Sequence, residues 1–402
     1  MIKELFKKRY VKVFTLLSLL FFITMIVIES INERFWLHDL EVMYSAADAL
    51  LSNEQVYGKY FGLTTGYYKY SPFTLFLFVP YTFLPYKIAC VLHFFIVGFS
   101  AISSVLLLDK MIRKYIFNYP KKYYLTLFAT LIAIIIHLVR DLHLGNINVI
   151  LIFLIMSAVY FLLESKYIKF AIILGVVIIT KPYFIVLIVP LLLHKYYKAI
   201  VSLAIVGVSF VLVSLMLIGF SKGVDLYFNW FAAMLDHTSY LTSNNTIFYI
   251  INRYTGVLIG SKHAFLLLGL ISVISSLFFW LFIRTKEGIT ESKRKKNQAV
   301  LFQVSILIAL IPNVFITDTE HFIFSLPVLA ILILYFSIKK RFVWIPLLVF
   351  MIFLYGGNST DLMGDYINEN YKQLGLLGIG NLALILTTVI IYVKNNRIWD
   401  KE

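Results

Sequence analysis

Residues Val11–Ile28 read VKVFTLLSLLFFITMIVI, an apolar run whose only charge is Lys12 near its start. At about 1.5 Å of rise per residue, a helix of this length comes close to matching a hydrocarbon core roughly 30 Å thick. Runs of similar character recur along the chain. Hydrophobic residues make up 60% of the 402, charged residues only 14%, and the mean hydropathy is +0.86. No soluble domain of ordinary composition looks like this, so the expected class is an all-α polytopic integral membrane protein. The first run is long for a signal peptide and is followed by acidic residues rather than a small-residue cleavage site, so it is expected to be retained. About twelve membrane-inserted helices are expected, some of them short. They fall near 11–29, 71–84, 86–108, 123–139, 147–163, 168–193, 198–219, 263–283, 299–316, 322–337, 342–355 and 374–393, within one domain spanning 1–402.

The formal charge of +15 gathers in short stretches between these runs. Lys3, Lys7, Lys8, Arg9 and Lys12 lead the first. Lys110, Arg113, Lys114, Lys121 and Lys122 form a second group, Arg284, Lys286, Lys293, Arg294, Lys295 and Lys296 a third, and Lys339, Lys340, Arg341, Lys394 and Arg397 close the list. This is the positive-inside pattern, not a nucleic-acid surface, since no aromatic platform accompanies it. It places the amino terminus and the basic loop 284–298 in the cytoplasm and the loops 30–70 and 220–262 outside. One conflict stays open. If 71–84 and 86–108 both cross, the basic stretch 109–122 lands outside. If they cross once between them, 168–193 must split at Lys181-Pro182 into a hairpin, a break that proline favours.

The lone Cys90 lies in an apolar segment, which excludes a disulfide framework and a thiolate metal cluster. No phosphate-binding glycine loop, HExxH helix or dinucleotide fingerprint occurs. Chemistry is therefore sought where polar residues gather at the ends of apolar runs.

The densest such place follows the first run: His38-Asp39-Leu40-Glu41-Val42-Met43-Tyr44-Ser45-Ala46-Ala47-Asp48-Ala49-Leu50-Leu51, then Val56-Tyr57 and Tyr67-Tyr68-Lys69-Tyr70-Ser71-Pro72. Leu37, Leu40, Tyr44, Ala47 and Leu51 share one helical stripe, and Glu41, Ser45, Asp48 and Ser52 the opposite face. The spacing predicts a short amphipathic helix lying along the bilayer surface with Asp39 in its first turn. An Asp, a hydrophobic residue, a Val, paired alanines, a distant Val-Tyr and a closing Tyr-x-Pro together resemble the C-type glycosyltransferases of family eighty-seven. That family includes polyprenol-phosphate-mannose-dependent α-1,2-mannosyltransferases.

The resemblance implies a C-type multi-helix scaffold that moves mannose or another hexose from a polyprenyl-phosphate sugar to a glycan or glycolipid hydroxyl. It implies membrane lipids as surroundings, a site on the outer face of a bacterial cell membrane, and no cofactor. Asp39 matches the family's boundary aspartate and would act as general base; read by position alone, it is equally an N-cap. Glu41 is a second, substrate-binding candidate, or a solvated charge near a helix start. Lys181, in Gly175-Val176-Val177-Ile178-Ile179-Thr180-Lys181-Pro182, resembles the family's Gly-rich helix ending in Lys-Pro and would bind the donor phosphate; otherwise it snorkels to headgroups.

Arg140-Asp141-Leu142-His143-Leu144-Gly145-Asn146-Ile147-Asn148 resembles a Gly-Gln-x-Asn turn with Asn146 in place of Gln. Asn148 would orient sugar hydroxyls, or the turn merely caps the next helix. Ser243-Asn244-Asn245-Thr246, followed by Arg253, resembles a late Asn-Gln-Ser segment; Asn245 would meet substrate and Arg253 would clamp phosphate. His321, in Thr317-Asp318-Thr319-Glu320-His321, would line the pocket. The acids beside it suggest a metal, but no two of these groups stand at i,i+4, and Lys and Arg can serve a monophosphate, so none is expected. Tyr70 would stack on a sugar, although tyrosines at a membrane boundary are the ordinary interfacial belt. The rival class is a polytopic transporter or lipid flippase, disfavoured by the lack of paired inverted repeats and by polar groups collecting at one side.

Overall fold

The computed structural model describes residues 8–62, 66–117, 124–236, 244–260, 264–284, 289–315, 317–338 and 342–396. Several expected basic positions (Lys3, Lys7, Lys121, Lys122, Lys286, Lys339, Lys340, Arg341 and Arg397) lie outside them, as does Ser243. Among the described residues every extended element is helical; Tyr60 and Tyr67 form only an isolated bridge.

The chain divides into two compact units, each assembled from separate stretches. The first comprises Met1–Ser104, Val139–Ile185 and Tyr196–Tyr240. It holds α1 (Arg9–Ile31), α2 (His38–Leu51), α3 (Pro72–Thr82) and most of α4 (Tyr86–Met111). The second comprises Val105–Leu138, Val186–Lys195 and Leu241–Glu402. It takes the end of α4 and its π-helical extension Ile112–Phe117, then α5 (Tyr124–Ala133) and the start of α6 (Ile135–Leu144). The first unit resumes with α7 (Asn148–Leu163) and α8 (Tyr167–Thr180). A 3-10 segment, Pro182–Leu187, leads to α9 (Ile188–Leu193), which belongs to the second. The first unit ends with α10 (Tyr197–Ile218) and α11 (Phe220–Asp236). The remaining helices are α12 (Ile247–Thr255), α13 (Ala264–Arg284), α14 (Ile289–Val314), α15 (Leu326–Ile338), α16 (Ile345–Gly356), α17 (Thr360–Gln373) and α18 (Leu376–Asn396).

Six helices among the described residues are long and apolar enough to cross a membrane, or up to eight if each of two bent pairs counts as one span. The difference from twelve is one of length. Helix α3 has 11 residues and α8 has 14, so at about 1.5 Å per residue they reach only part of a roughly 30 Å core. Helix α14 begins at Ile289 and runs unbroken into its apolar half, so its backbone takes in Lys293, Arg294, Lys295 and Lys296.

The segment 168–193 breaks where proline forbids continuity. Pro182 drives Lys181 to extended geometry (φ −130°, ψ 95°), and α8 stops at Thr180. Helices α7 and α8 form a hairpin, and α8 packs on α10.

In the second unit a buried amide network replaces purely apolar packing. Asn381 Nδ2 donates to Ala309 O (2.8 Å) and Asn313 Oδ1 (2.6 Å), while Ser325 Oγ donates to Asn381 Oδ1. Asn313 Nδ2 in turn reaches the carbonyls of Asn245 and Gly378, each at 3.0 Å. Each bond contributes about 1 kcal/mol, and stranding the partners costs more than the bonds contribute. Asn381→Ala should therefore lower the midpoint of thermal unfolding in detergent by at least about 2 °C. An unchanged midpoint would show that the network is dispensable.

Candidate active site

Helix α2 starts at His38 from Leu37, whose φ of 49° is left-handed and therefore strained for leucine. Two contacts hold that start. Tyr86 Oη donates to the carbonyls of Trp36 (2.7 Å) and Leu37 (3.0 Å). From another side comes the turn after α6, where Gly145 has φ +67° and a Cβ there would stand 2.8 Å from Leu37 Cβ. Only glycine fits both the angle and the approach. His93, buried in α4, binds Gly145 O through Nε2 at 3.0 Å. A carbonyl can only accept, so the ring proton sits on Nε2, and Nδ1 accepts from Tyr81 Oη at 3.2 Å.

The predicted helix is present, but its buried face is not the predicted stripe. Leu37, Leu40 and Ala47 are buried as expected, whereas Leu51 is 49% exposed and Met43, Ala46 and Ala49 are buried instead. The helix therefore packs into protein more broadly than a surface-lying helix would. Glu41 and Asp48 keep to the more open side, as read. Asp39 does not join them. It stands one turn before Met43 and two before Ala46, on the packed side.

Asp39 Oδ2 accepts from Asn146 Nδ2 at 2.6 Å. The N-cap position belongs to Leu37, so Asp39 is the second helical residue and not the cap. Asn146 Oδ1 accepts from the Ile147 amide at 2.7 Å, and the Asn146 amide donates to Asp141 O at 2.9 Å. The buried Asp141 carboxylate accepts from Asn148 Nδ2 (2.9 Å) and from the Val149 amide (3.0 Å). Lys181 Nζ donates to Asn148 Oδ1 at 2.7 Å and lies 5.9 Å from the centre of the Tyr70 ring. Asn148 thus has one bond at each end of its amide, linking Asp141 to Lys181.

Tyr70 is set by the loop before α3. Tyr57 Oη donates to Tyr70 O at 2.7 Å, and the Tyr68 and Tyr70 rings meet edge to face at 5.7 Å. Burial pushes the Tyr57 and Tyr68 hydroxyls up from their ordinary range, so both stay protonated donors. Glu41 points to a different place: Gly62 (φ +81°) brings its turn against the Glu41 carboxylate.

Of the predicted residues, Asp39, Glu41, Tyr70, Asn148 and Lys181 belong to the first unit; Asn245, Arg253 and His321 belong to the second. Asn245 ties the segment before α12 to Gly378, its Oδ1 accepting from that amide at 3.3 Å. Thr246 caps α12, its hydroxyl accepting from the Tyr249 amide at 3.2 Å. Arg253 is exposed on the last turn of α12. His321 lies 3.6 Å from Glu320 Oε1, with its ring against Phe324. Among the described residues no group of three or more His, Cys, Asp or Glu side chains comes together as a metal site would.

Two members of the constellation, Asp141 and His93, are not among the site residues expected from sequence, and Asn146 is expected only as the residue in place of Gln in its turn. His93 sat unremarked inside α4, although an intramembrane histidine is itself a signal.

The model of Glycosyltransferase family 87 matches residues 68–317, more than half of the chain. The chain belongs to this family. It is therefore a multi-pass membrane glycosyltransferase that uses a sugar donor and an acceptor, and the transporter reading gives way. Comparisons with curated proteins and with solved structures return no match. The matched segment begins at Tyr68 and takes in Tyr70, the turn at Gly145 and Lys181, but leaves α2 and Asp39 before its start.

Gly145→Ala in this glycosyltransferase should cost about 1–2 kcal/mol for the left-handed angle alone and push the turn off α2. Gly207, mid-helix in α10 with nothing within 4 Å of where a Cβ would stand, is the control. Gly207→Ala should be neutral or stabilise by about 0.5–1 kcal/mol. Thermal unfolding and sugar transfer, measured on both variants, check the contrast; equal effects would show that the close approach does not matter.

Proposed function

We propose that this glycosyltransferase moves a hexose, mannose in the simplest case, from a polyprenyl-phosphate sugar to a hydroxyl of a glycan or glycolipid at the outer face of a cell membrane. The proposed scaffold is of C type, and the short apolar helices α3, α7 and α8 beside the long ones support about twelve inserted segments. The observation that carries the mechanism is the position of Asp39. It is a carboxylate on the packed side of α2, held by Asn146, in the same polar chain that holds Lys181 through Asn148.

In this mechanism the acceptor oxygen attacks the anomeric carbon from the face opposite the phosphate. Its proton passes to the Asp39 carboxylate as the new C–O bond forms. The bond from the anomeric carbon to the phosphate oxygen breaks, and polyprenyl phosphate leaves with that electron pair. One displacement gives inversion. Lys181 offsets the charge gathered on the departing phosphate, worth about 3–4 kcal/mol for one well-placed donor. Its short bond to Asn148 fixes the ammonium beforehand, so little reorganisation accompanies the reaction. Tyr70 offers a ring face beside that ammonium for the sugar. This mechanism gives no step to Arg253 or His321, which belong to the second unit. Glu41, packed on the Gly62 turn, is assigned to shaping that loop rather than to substrate.

The test is transfer from labelled polyprenyl-phosphate hexoses to a lipid extract by purified protein. Asp39→Asn keeps the size and loses the base; transfer should fall about 100-fold or more with unfolding unchanged. Lys181→Met should lower kcat by about 100- to 1000-fold. If Asp39→Asn transfers sugar as wild type does, the base lies elsewhere and the mechanism falls, although membership of the family stands.

A further inference from the structure

Helices α7 and α8 leave the candidate site together and meet again at the far end of their hairpin. With 16 residues in α7, that end lies about 24 Å from Asn148. There the α7–α8 turn and the start of α10 line an open cavity of about 770 Å³. Lys166, Lys169 and Lys198 line it together with Tyr167 and Tyr197, and none of its lining residues is acidic. All three lysines are exposed, and Lys169 Nζ also lies 5.7 Å from the centre of the Phe161 ring.

The cavity does not stand in open water on every side. Ile168 and Val201 belong to its wall. From them two apolar ridges continue along the outer faces of the helices. Ile172 follows on α8, and Ile205 and Val208, 62% and 60% exposed, follow on α10. Of the six long apolar helices, α10 is the least covered by protein, 11% of its hydrophobic window being buried. A basic pocket ringed by tyrosines and opening onto bare apolar helix faces has the chemistry of two solvents at once. Its occupant needs an anionic head to meet the lysines and hydrocarbon tails to lie on the ridges.

We propose that this cavity binds the headgroup of an anionic phospholipid. The phosphodiester lies among Lys166, Lys169 and Lys198, with the tyrosine hydroxyls at headgroup level and the acyl chains along α8 and α10. Each lysine near an anionic membrane surface adds about 1 kcal/mol, or about fivefold in affinity. Three of them select an anionic lipid over a zwitterionic one by about 100-fold at low salt. The site is one helix length from Asp39 and Lys181, so it is no part of the proposed donor site. A lipid held there would brace the α7–α8 hairpin whose other end carries Asn148 and Lys181.

The test uses the full chain, stripped of lipid in detergent. Phosphatidylglycerol, phosphatidylcholine or inorganic phosphate is then added, and retained lipid is counted by native mass spectrometry alongside thermal unfolding. Phosphatidylglycerol should be retained and raise the unfolding midpoint, phosphatidylcholine much less, and inorganic phosphate should not compete at matched concentration. Lys166→Gln, Lys169→Gln and Lys198→Gln combined should erase the preference, and single changes should each weaken it about fivefold. Lys222→Gln, beyond the far end of α10, should leave it intact. These lysines are exposed, so folding is not at risk, and Lys198→Glu provides an independent charge reversal. Three results would overturn the site: a triple variant that keeps the preference, a Lys222→Gln protein that loses it equally, or phosphate that displaces the lipid.

Discussion

Proline at position 182 bars an α-helical residue 181, and from that local constraint the polar interior of the first unit follows. The backbone of Lys181 turns extended, α8 ends, and the side chain is left among apolar helices instead of on a helix surface. An ammonium there must be hydrogen-bonded, since stranding a charge in such surroundings costs several kcal/mol. Asn148 meets that need, and Asp141 then fixes Asn148 and caps α7 with the same carboxylate. A buried cation, an amide and a buried carboxylate thus form one bonded series. Changing any member leaves a neighbour without its partner.

The second constraint is steric. Helix α2 can present Asp39 to Asn146 only if the 144–146 turn comes close to the start of that helix. Gly145 permits the approach, His93 fixes its carbonyl, and Tyr86 fixes the carbonyl of the strained Leu37. These residues come from widely separated stretches, each placing one polar atom. Within a bilayer such atoms find no water, so helix ends near the site must be completed by side chains. The same rule accounts for the asparagines of the second unit, where Asn313 and Asn381 complete carbonyls that apolar packing would strand.

The sequence was informative where one local rule governs. Composition announced membrane helices, Lys-Pro announced a break, and the Asp39 segment announced a short amphipathic helix. Length was harder to read, because hydropathy marks an apolar helix without saying whether it crosses; α3, α7 and α8 are apolar yet short. Side-chain partners across distant segments were hardest. Asp141 carries no signal of its own and the Asn146 turn does not name its partner, since a turn rich in polar residues looks the same whether it caps a helix or links two functional groups. The division into two units also left no mark, because each unit is assembled from stretches that interrupt the other.

Asp39 shows how geometry removes one of two readings that spacing leaves equal, that of a helix cap. Near the start of a helix an aspartate serves as a cap or as something else, and composition cannot separate the cases. A cap flanks the helix, with its oxygen turned back on the first free amides. Asp39 is instead the second helical residue, and the left-handed Leu37 occupies the capping place. Its neighbours one and two turns on, Met43 and Ala46, are buried, so the carboxylate is carried to the packed side of α2, while Glu41 meets the Gly62 turn and Asp48 is exposed. An acid placed inward on an otherwise apolar face weakens burial unless it has work to do. Asn146 donates to one carboxylate oxygen and so fixes how the carboxylate is turned. That fixed orientation is what the proposed mechanism asks of Asp39.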